Sequence, residues 1–158
     1  MTRSLSVLLP VQNAESSLAR TVGRMLDVTA ELTDRFELII VDDGSTDATS
    51  EVADELARRY PQVKLARHSV PRGSGEAIRT GLRLSHGQVI IHRDPACGDT
   101  MEDLVRTWRA TSVGEIPAPP SGPGCRVIDR RSGKALHGPT APTRPAYLTR
   151  LREFATGE

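Results

Sequence analysis

Phe36-Glu-Leu-Ile-Ile-Val-Asp-Asp-Gly-Ser-Thr-Asp47 is the stretch on which the fold of this chain turns. Leu38, Ile39, Ile40 and Val41 form an unbroken apolar run rich in β-branched side chains, which suits a strand covered on both faces. Asp42 and Asp43 stand at its end, Gly44 permits a sharp exit, and Ser45, Thr46 and Asp47 offer capping oxygens to a following helix. Strands buried on both faces belong to parallel sheets layered with helices, and ligands of such sheets bind beyond the carboxyl ends of the strands. The two carboxylates therefore sit where a base, a ribose or a cation would be met. The plainer alternative is one acid capping the helix and the other solvated, and position does not separate the two.

Outward from this strand the chain alternates. Ser4-Leu-Ser-Val-Leu-Leu-Pro-Val11 reads as a first strand that Pro10 should end, followed by a helix with Asn13 as N-cap and Leu18, Val22, Met25 and Leu26 on one face. Residues 46–60 read as a second helix and 63–66 as a brief third strand. Pro71-Arg-Gly-Ser-Gly75 is a turn into a third helix closed by Gly87, and Gln88-Val-Ile-Ile-His92 is a fourth strand. A helix over 101–111 would bury Leu104, Val105 and Trp108, the last as core rather than as a ligand platform. The alternation predicts an α/β fold with right-handed crossovers and a mostly parallel sheet of order 3-2-1-4. Residues 1–112 form one domain in this reading. The segment 113–146, with seven prolines and five glycines, is too poor in apolar side chains to offset its ordering entropy and reads as flexible. Within it, Cys125-Arg-Val-Ile-Asp129 and Lys134-Ala-Leu136 could pair as a hairpin, and 147–158 could hold a short terminal helix with Tyr147, Leu148, Leu151 and Phe154 on one side.

The 158 residues suffice for one domain with a real core. A net charge of +1 and 3% aromatic residues give no case for nucleic acid. The front of the chain, up to residue 112, carries 14 basic and 16 acidic side chains against 7 and 4 behind it, so the positive excess lies in the tail. Two cysteines, Cys97 and Cys125, form no framework and point to reduced thiols in the cytoplasm. No 18-residue apolar run offers a membrane span, and no signal peptide is visible.

Three strand ends collect polar groups at one rim: Gln12, Asn13 and Glu15 after the first, Asp42 and Asp43 after the second, and His92, Arg93 and Asp94 at the fourth. Each is an ordinary loop by itself, and together they describe a polar cleft. Arg72-Gly-Ser-Gly-Glu-Ala77 adds a glycine-rich turn opening a helix, which can present N–H groups to a phosphate. It is neither a Walker loop nor a G-x-G-x-x-G after a first strand, and a flexible turn explains it as well.

Val7-Leu-Leu-Pro-Val-Gln-Asn-Ala-Glu15, Ile40-Val-Asp-Asp-Gly-Ser-Thr-Asp47 and Arg72-Gly-Ser-Gly-Glu-Ala77, in that order and spacing, resemble family-2 glycosyltransferases, nearest in flavour to the dolichyl- and polyprenyl-phosphate mannosyl and glucosyl synthases. The resemblance covers about residues 4–110. It implies a Rossmann-like GT-A half that binds a UDP- or GDP-linked sugar across the rim and, if active, passes the hexose with inversion to a lipid phosphate or glycan. It implies nucleotide-sugar binding by Pro10, Asn13, Glu15, Asp42, Asp43, Ser45, Arg72 and Gly73, with Asp42 facing the base. It also implies Mg²⁺ or Mn²⁺ at a D-x-D that begins with Asp94, and a cytoplasmic protein peripheral to the inner membrane face.

The sequence departs from the pattern at that D-x-D. Asp94-Pro-Ala-Cys-Gly-Asp-Thr-Met-Glu-Asp-Leu104 keeps the first acid and places Ala96 at the second, and Ala supplies no hard oxygen to a divalent cation. Arg93 beside Asp94 could clamp a phosphate or repel a metal, and Gln12 stands where the family commonly has an aromatic residue. No catalytic base is assigned. Asp129, Glu153 and His137 are merely available, and Arg126, Arg130, Arg131 and Lys134 could meet a lipid phosphate or simply face solvent. A transferase therefore stands beside a degenerate nucleotide-sugar-binding or interaction domain, a pseudoenzyme, and beside an unrelated Rossmann-like binding protein.

Overall fold

The strand at the centre is β1, Leu5–Val11, and every residue of it is buried. In the computed structural model, which describes residues 3–94, 101–113, 124–129 and 134–136, β2 (Phe36–Asp43) and β4 (Val89–Arg93) flank it in parallel. β3 (Val63–His68) adds in parallel outside β2. Period-two alternation sends Leu5, Val7, Leu9 and Val11 to one face, where α1 (Leu18–Leu32), α2 (Thr49–Arg59) and α4 (Glu102–Ser112) cover them. Leu8, Ile39, Val41 and Ile90 point to the other face, under Ala77, Ile78 and Leu82 of α3 (Ser74–Leu84). Each fully buried aliphatic side chain of this kind contributes about 1.5–3 kcal/mol. Trp108 is 7% exposed among the α4 core side chains, so it packs as core.

Two crossovers lie on one face, and the third carries the chain back over the sheet on the other. The strand order therefore reverses between β1 and β4, and that is where α/β sheets open a crevice. The register shows it opening. β4 pairs with β1 only as far as Leu8↔His92, whereas β2 follows β1 to Val11↔Asp42. Pro10 was expected to end β1 and does not. It lies beyond the reach of β4, where one flank of β1 is unpaired, and a residue without an N–H is tolerated there.

The sheet order is β3-β2-β1-β4-β5-β6, longer than the expected 3-2-1-4. β5 (Cys125–Asp129) runs antiparallel to β4, and β6 (Lys134–Leu136) antiparallel to β5. Both strands fall inside the stretch read from sequence as flexible, and they form the hairpin suggested there. The low apolar content of the segment hid how the hairpin joins the core: Cys125 and Val127 are 6% and 3% exposed and complete its α4 side. Joining also gives β4 a neighbour on what would be a bare edge. The proposed terminal helix within 147–158 lies outside the described residues.

Helix boundaries shift for identifiable reasons. α1 starts at Leu18 after Ser17, and Asn13 does not cap it. α3 ends at Leu84, and Gly87 serves the entry to β4 instead of closing the helix. A Cβ on Gly87 would lie 2.5 Å from the Ser6 backbone nitrogen. At that end of the sheet a polar seam closes the α3 layer. Glu37 accepts hydrogen bonds from the Ser6 hydroxyl at 2.6 Å, Lys64 Nζ at 2.5 Å and the His86 N–H at 2.5 Å. Burial by itself would raise the Glu37 pKa, but these donors outweigh it and bring it down to about 2.

Candidate functional site

The loop after β1 and the loop after β2 are zipped together. Asn13, in the left-handed region at φ 50°, donates its N–H to Ser45 Oγ at 2.9 Å, while its Oδ1 accepts the Thr46 N–H at 2.9 Å. Asparagine tolerates this backbone because its short amide bonds locally. The next pair repeats the exchange: the Ala14 N–H donates to Thr49 Oγ1 at 2.7 Å, and the Ala48 N–H donates to Glu15 Oε2 at 2.9 Å. Asp47 supplies the capping chemistry, accepting the Thr49 N–H at 2.9 Å and its hydroxyl at 2.5 Å. The bond from Thr49 chiefly lowers the Asp47 pKa. The acids and hydroxyls of Ser45-Thr-Asp47 thus organise the rim before any ligand arrives.

Asp42 and Asp43 point to opposite faces and do different work. The Asp42 side chain is 0% exposed. Its Oδ1 accepts the Ser45 N–H at 3.1 Å and the Ser45 hydroxyl at 2.5 Å, its Oδ2 accepts the Ser50 hydroxyl at 2.5 Å, and Arg67 Nε lies 3.9 Å away. Asp42 is therefore a buried fastener of the β2–α2 turn. Asp42→Ala is expected to cost about 2 kcal/mol in urea denaturation, since it strands three donors. An unchanged midpoint would mean that water satisfies them.

Asp43 ties β2 to the glycine-rich turn. Its Oδ1 accepts the Arg72 N–H at 2.8 Å and its Oδ2 accepts the Gly73 N–H at 2.9 Å, while His68 Nδ1 lies 2.7 Å from Oδ1. Burial pushes the Asp43 pKa up, but the His68 ring and the two N–H groups outweigh it, so the carboxyl ionises below its usual range. Gly44, at φ 67°, lets the two turns touch. Gly73, at φ 92°, precedes α3, and the exposed Arg72 stands beside that helix's first turn.

At the end of β4 the picture differs from expectation. Arg93 is 1% exposed and lies on the core face opposite Cys125, so it offers no phosphate clamp at the surface. His92 Nε2 is buried without a hydrogen-bond partner. Burial lowers the ring's pKa to about 4, with Arg126 lowering it further and Asp94 opposing. Asp94 follows β4 in a half-buried position, and Ala96, Cys97 and Asp99 lie outside the described residues. Among the described residues no three His, Cys, Asp or Glu side chains gather as a metal site. With Ala at position 96, Asp94 offers one carboxylate, and a cation that takes six oxygens would draw the others from phosphates and water.

Of the expected residues, Asn13, Glu15 and Ser45 meet across one loop pair, and Asp43, Arg72 and Gly73 meet across another. Pro10 is buried at the crevice floor, and Asp94 ends the strand beyond it. His137 and Glu153, together with Arg130 and Arg131, are outside the described residues. Arg126 is exposed on β5. Sequence reading missed His68, Thr49 and Ser50. The third strand was ended at residue 66, whereas its alternation, Lys64, Ala66, His68, carries a histidine to the same rim.

The model of the Glycosyl transferase family 2 matches residues 6–97, more than half of the chain. The chain belongs to that family. It is 31% identical over 114 residues to an undecaprenyl-phosphate 4-deoxy-4-formamido-L-arabinose transferase of Photorhabdus laumondii, covering 71% of this chain and 35% of that protein. A human dolichyl-phosphate beta-glucosyltransferase is 35% identical over 100 residues, covering 59% of this chain and 31% of the relative. The chain thus spans about a third of the length of these curated family-2 relatives. A Pyrobaculum calidifontis mannosyltransferase solved with GDP-Man and Mn²⁺ superposes with a TM-score of 0.54 at 18% identity, over 83% of this chain and 46% of that one. S. aureus TarS 1–349 with UDP-GlcNAc gives 0.52 at 17% identity, over 75% and 36%. The fold is the GT-A half of these enzymes, with β5 and β6 extending the sheet. No helix of the described residues is long and apolar enough to cross a membrane.

Proposed function

We propose that this family-2 chain binds the nucleoside diphosphate of a UDP- or GDP-linked sugar at the β1–β4 crevice. The observation that carries the reading is the pre-organised rim: two loops zipped through Asn13, Glu15 and Ser45, and a glycine-rich turn fastened to Asp43 at the start of α3. Exposed Asn13, Glu15 and Arg72 are the groups available to a ligand, while Asp42 shapes the loop behind them. The diphosphate belongs at the start of α3, where N–H groups and the helix dipole favour negative charge and Arg72 adds a charged donor. Asp94 lines the β4 side, with any Mg²⁺ or Mn²⁺ bound more through the phosphates than through the protein.

As part of a transferase, the chain would hand the hexose to a lipid phosphate, since the relatives named above act on undecaprenyl and dolichyl phosphates. A peripheral position at the cytoplasmic face of a membrane goes with that acceptor. Ala96 favours a second reading, a nucleotide-sugar-binding domain without turnover. Titration calorimetry with UDP, GDP, UDP-GlcNAc and GDP-Man, each with and without Mn²⁺, tests both. Binding of a nucleotide sugar supports the site, and absence of binding by all four sinks it. Hydrolysis or transfer by a binding-competent protein would then decide for the enzyme. Arg72→Ala is expected to weaken diphosphate binding about tenfold with little change in stability, the worth of one charge-assisted contact. Equal loss for uridine and UDP would place Arg72 elsewhere.

A further inference from the structure

His68 links three elements, β2, β3 and α3, through polar contacts at the edge of their apolar packing. It is the last residue of β3 and 7% exposed. Its Nδ1 lies 2.7 Å from Asp43 Oδ1 at the end of β2, and its Nε2 lies 2.8 Å from Thr80 Oγ1 on α3. Asp43 in turn receives the N–H groups of Arg72 and Gly73. The path from α3 to the turn that precedes it therefore runs Thr80, His68, Asp43 through side chains and ends on the backbone N–H groups of Arg72 and Gly73, with every contact 2.7–2.9 Å.

We propose that His68 is the positioning residue of the diphosphate subsite: it holds the Asp43 carboxylate in the orientation that receives both turn N–H groups, and so sets where Arg72 and the start of α3 meet a ligand. A carboxylate on a strand end can rotate about its Cβ–Cγ bond. Here the turn supplies one N–H to each oxygen, and only one orientation of the carboxylate plane, with its equivalent half-turn, serves both. The imidazole selects it. Asp43 is ionised and accepts, so Nδ1 carries the proton. Thr80 can donate to Nε2 of a neutral ring or accept from a charged one, so the anchor holds in both states. Side-chain packing does not restrain Gly73, where an added Cβ would meet nothing within 4 Å, and its carbonyl accepts the Ala77 N–H at 3.1 Å. The Gly44 contact fixes Val70 and Pro71 one step earlier, and Asp43 with His68 fixes the two residues that follow.

This inference rests on the proposed nucleotide site for its functional half, and the test separates the two. In the full-length, nucleotide-free protein, amide hydrogen exchange at Arg72 and Gly73 is followed by NMR for wild type, His68→Phe, His68→Asn and Thr80→Val. UDP and GDP affinities are measured on the same samples. His68→Phe is expected to speed both amides about tenfold, and to weaken the diphosphate by a similar factor, as for one lost hydrogen bond to a charged group. His68→Asn keeps a donor near the Nδ1 position and is expected to restore both readouts. Thr80→Val leaves the ring in place and gives a smaller change of the same sign, which covers the case in which His68→Phe does not fold. Unchanged exchange in the variants overturns the proposal, as does faster exchange with unaltered affinity. If the wild type binds neither nucleotide, the site reading fails and the exchange arm alone decides whether His68 sets the turn.

Discussion

Gly44→Ala is expected to destabilise the fold by about 4 kcal/mol and to abolish nucleotide binding with it. At φ 67° any residue with a Cβ is strained, at about 1–2 kcal/mol. The larger cost is steric. The added Cβ would lie 2.4 Å from the Pro71 nitrogen, 2.5 Å from the Val70 carbonyl carbon and 2.6 Å from Pro71 Cδ. Two of these are backbone atoms, so the β3–α3 turn must move bodily. Moving it strains the neighbouring bonds from the Arg72 and Gly73 N–H groups to Asp43. Gly73→Ala is the control: its φ of 92° carries the backbone cost, but its Cβ would meet nothing, so about 1–2 kcal/mol is expected. Equilibrium denaturation of the two variants checks the difference. Equal losses would show that the approach of the two turns is not what requires Gly44.

The second large effect is acid lability through Glu37. Its pKa is about 2 in the folded chain against 4.5 for an ordinary glutamate, a depression of the folded-state value. A depressed carboxyl contributes stability that is fully present above the unfolded pKa and is lost as pH falls toward the folded one. The window is therefore about pH 4.5 down to 2, and the loss over it is about 1–2 kcal/mol, since solvent screens this partly exposed group. Glu37→Gln is expected to remove that slope. It should also cost stability at neutral pH, because Lys64 and the His86 N–H lose a charged acceptor. Denaturation series at pH 2.5, 4 and 7 on wild type and variant measure it. His92 acts in the adjoining window: its pKa is lowered to about 4, so the unfolded chain takes up its proton first, and stability falls as pH drops from 6.5 toward 4. A wild-type profile flat from pH 7 to 3 would contradict both assignments.

The sequence by itself determined the layered sheet and the rim on which its polar loops lie. Four strands, the crossovers between them and the family relationship all follow from apolar runs, turn residues and the VDDGSTD segment, because burial of the central strands and loop chemistry are local properties. Only the tertiary structure decided the division of labour at that rim. Asp42 and Asp43 are adjacent and chemically identical, yet one is sealed beneath Ser45 and Ser50 and the other fastens the glycine-rich turn. Which acid faces which layer depends on the register of β2 against its neighbours and on a turn whose first donor, the Arg72 N–H, lies 29 residues away in the chain. The same dependence hid His68, which matters because β3 pairs two residues further than its apolar run, up to Asp43↔His68. It hid the place of the suggested hairpin as well: β5 adds to β4, and its few apolar side chains suffice because α4 and β4 already supply the rest of the surface they join. Local chemistry marks where a ligand is met, and long-range pairing assigns each side chain its part in meeting it.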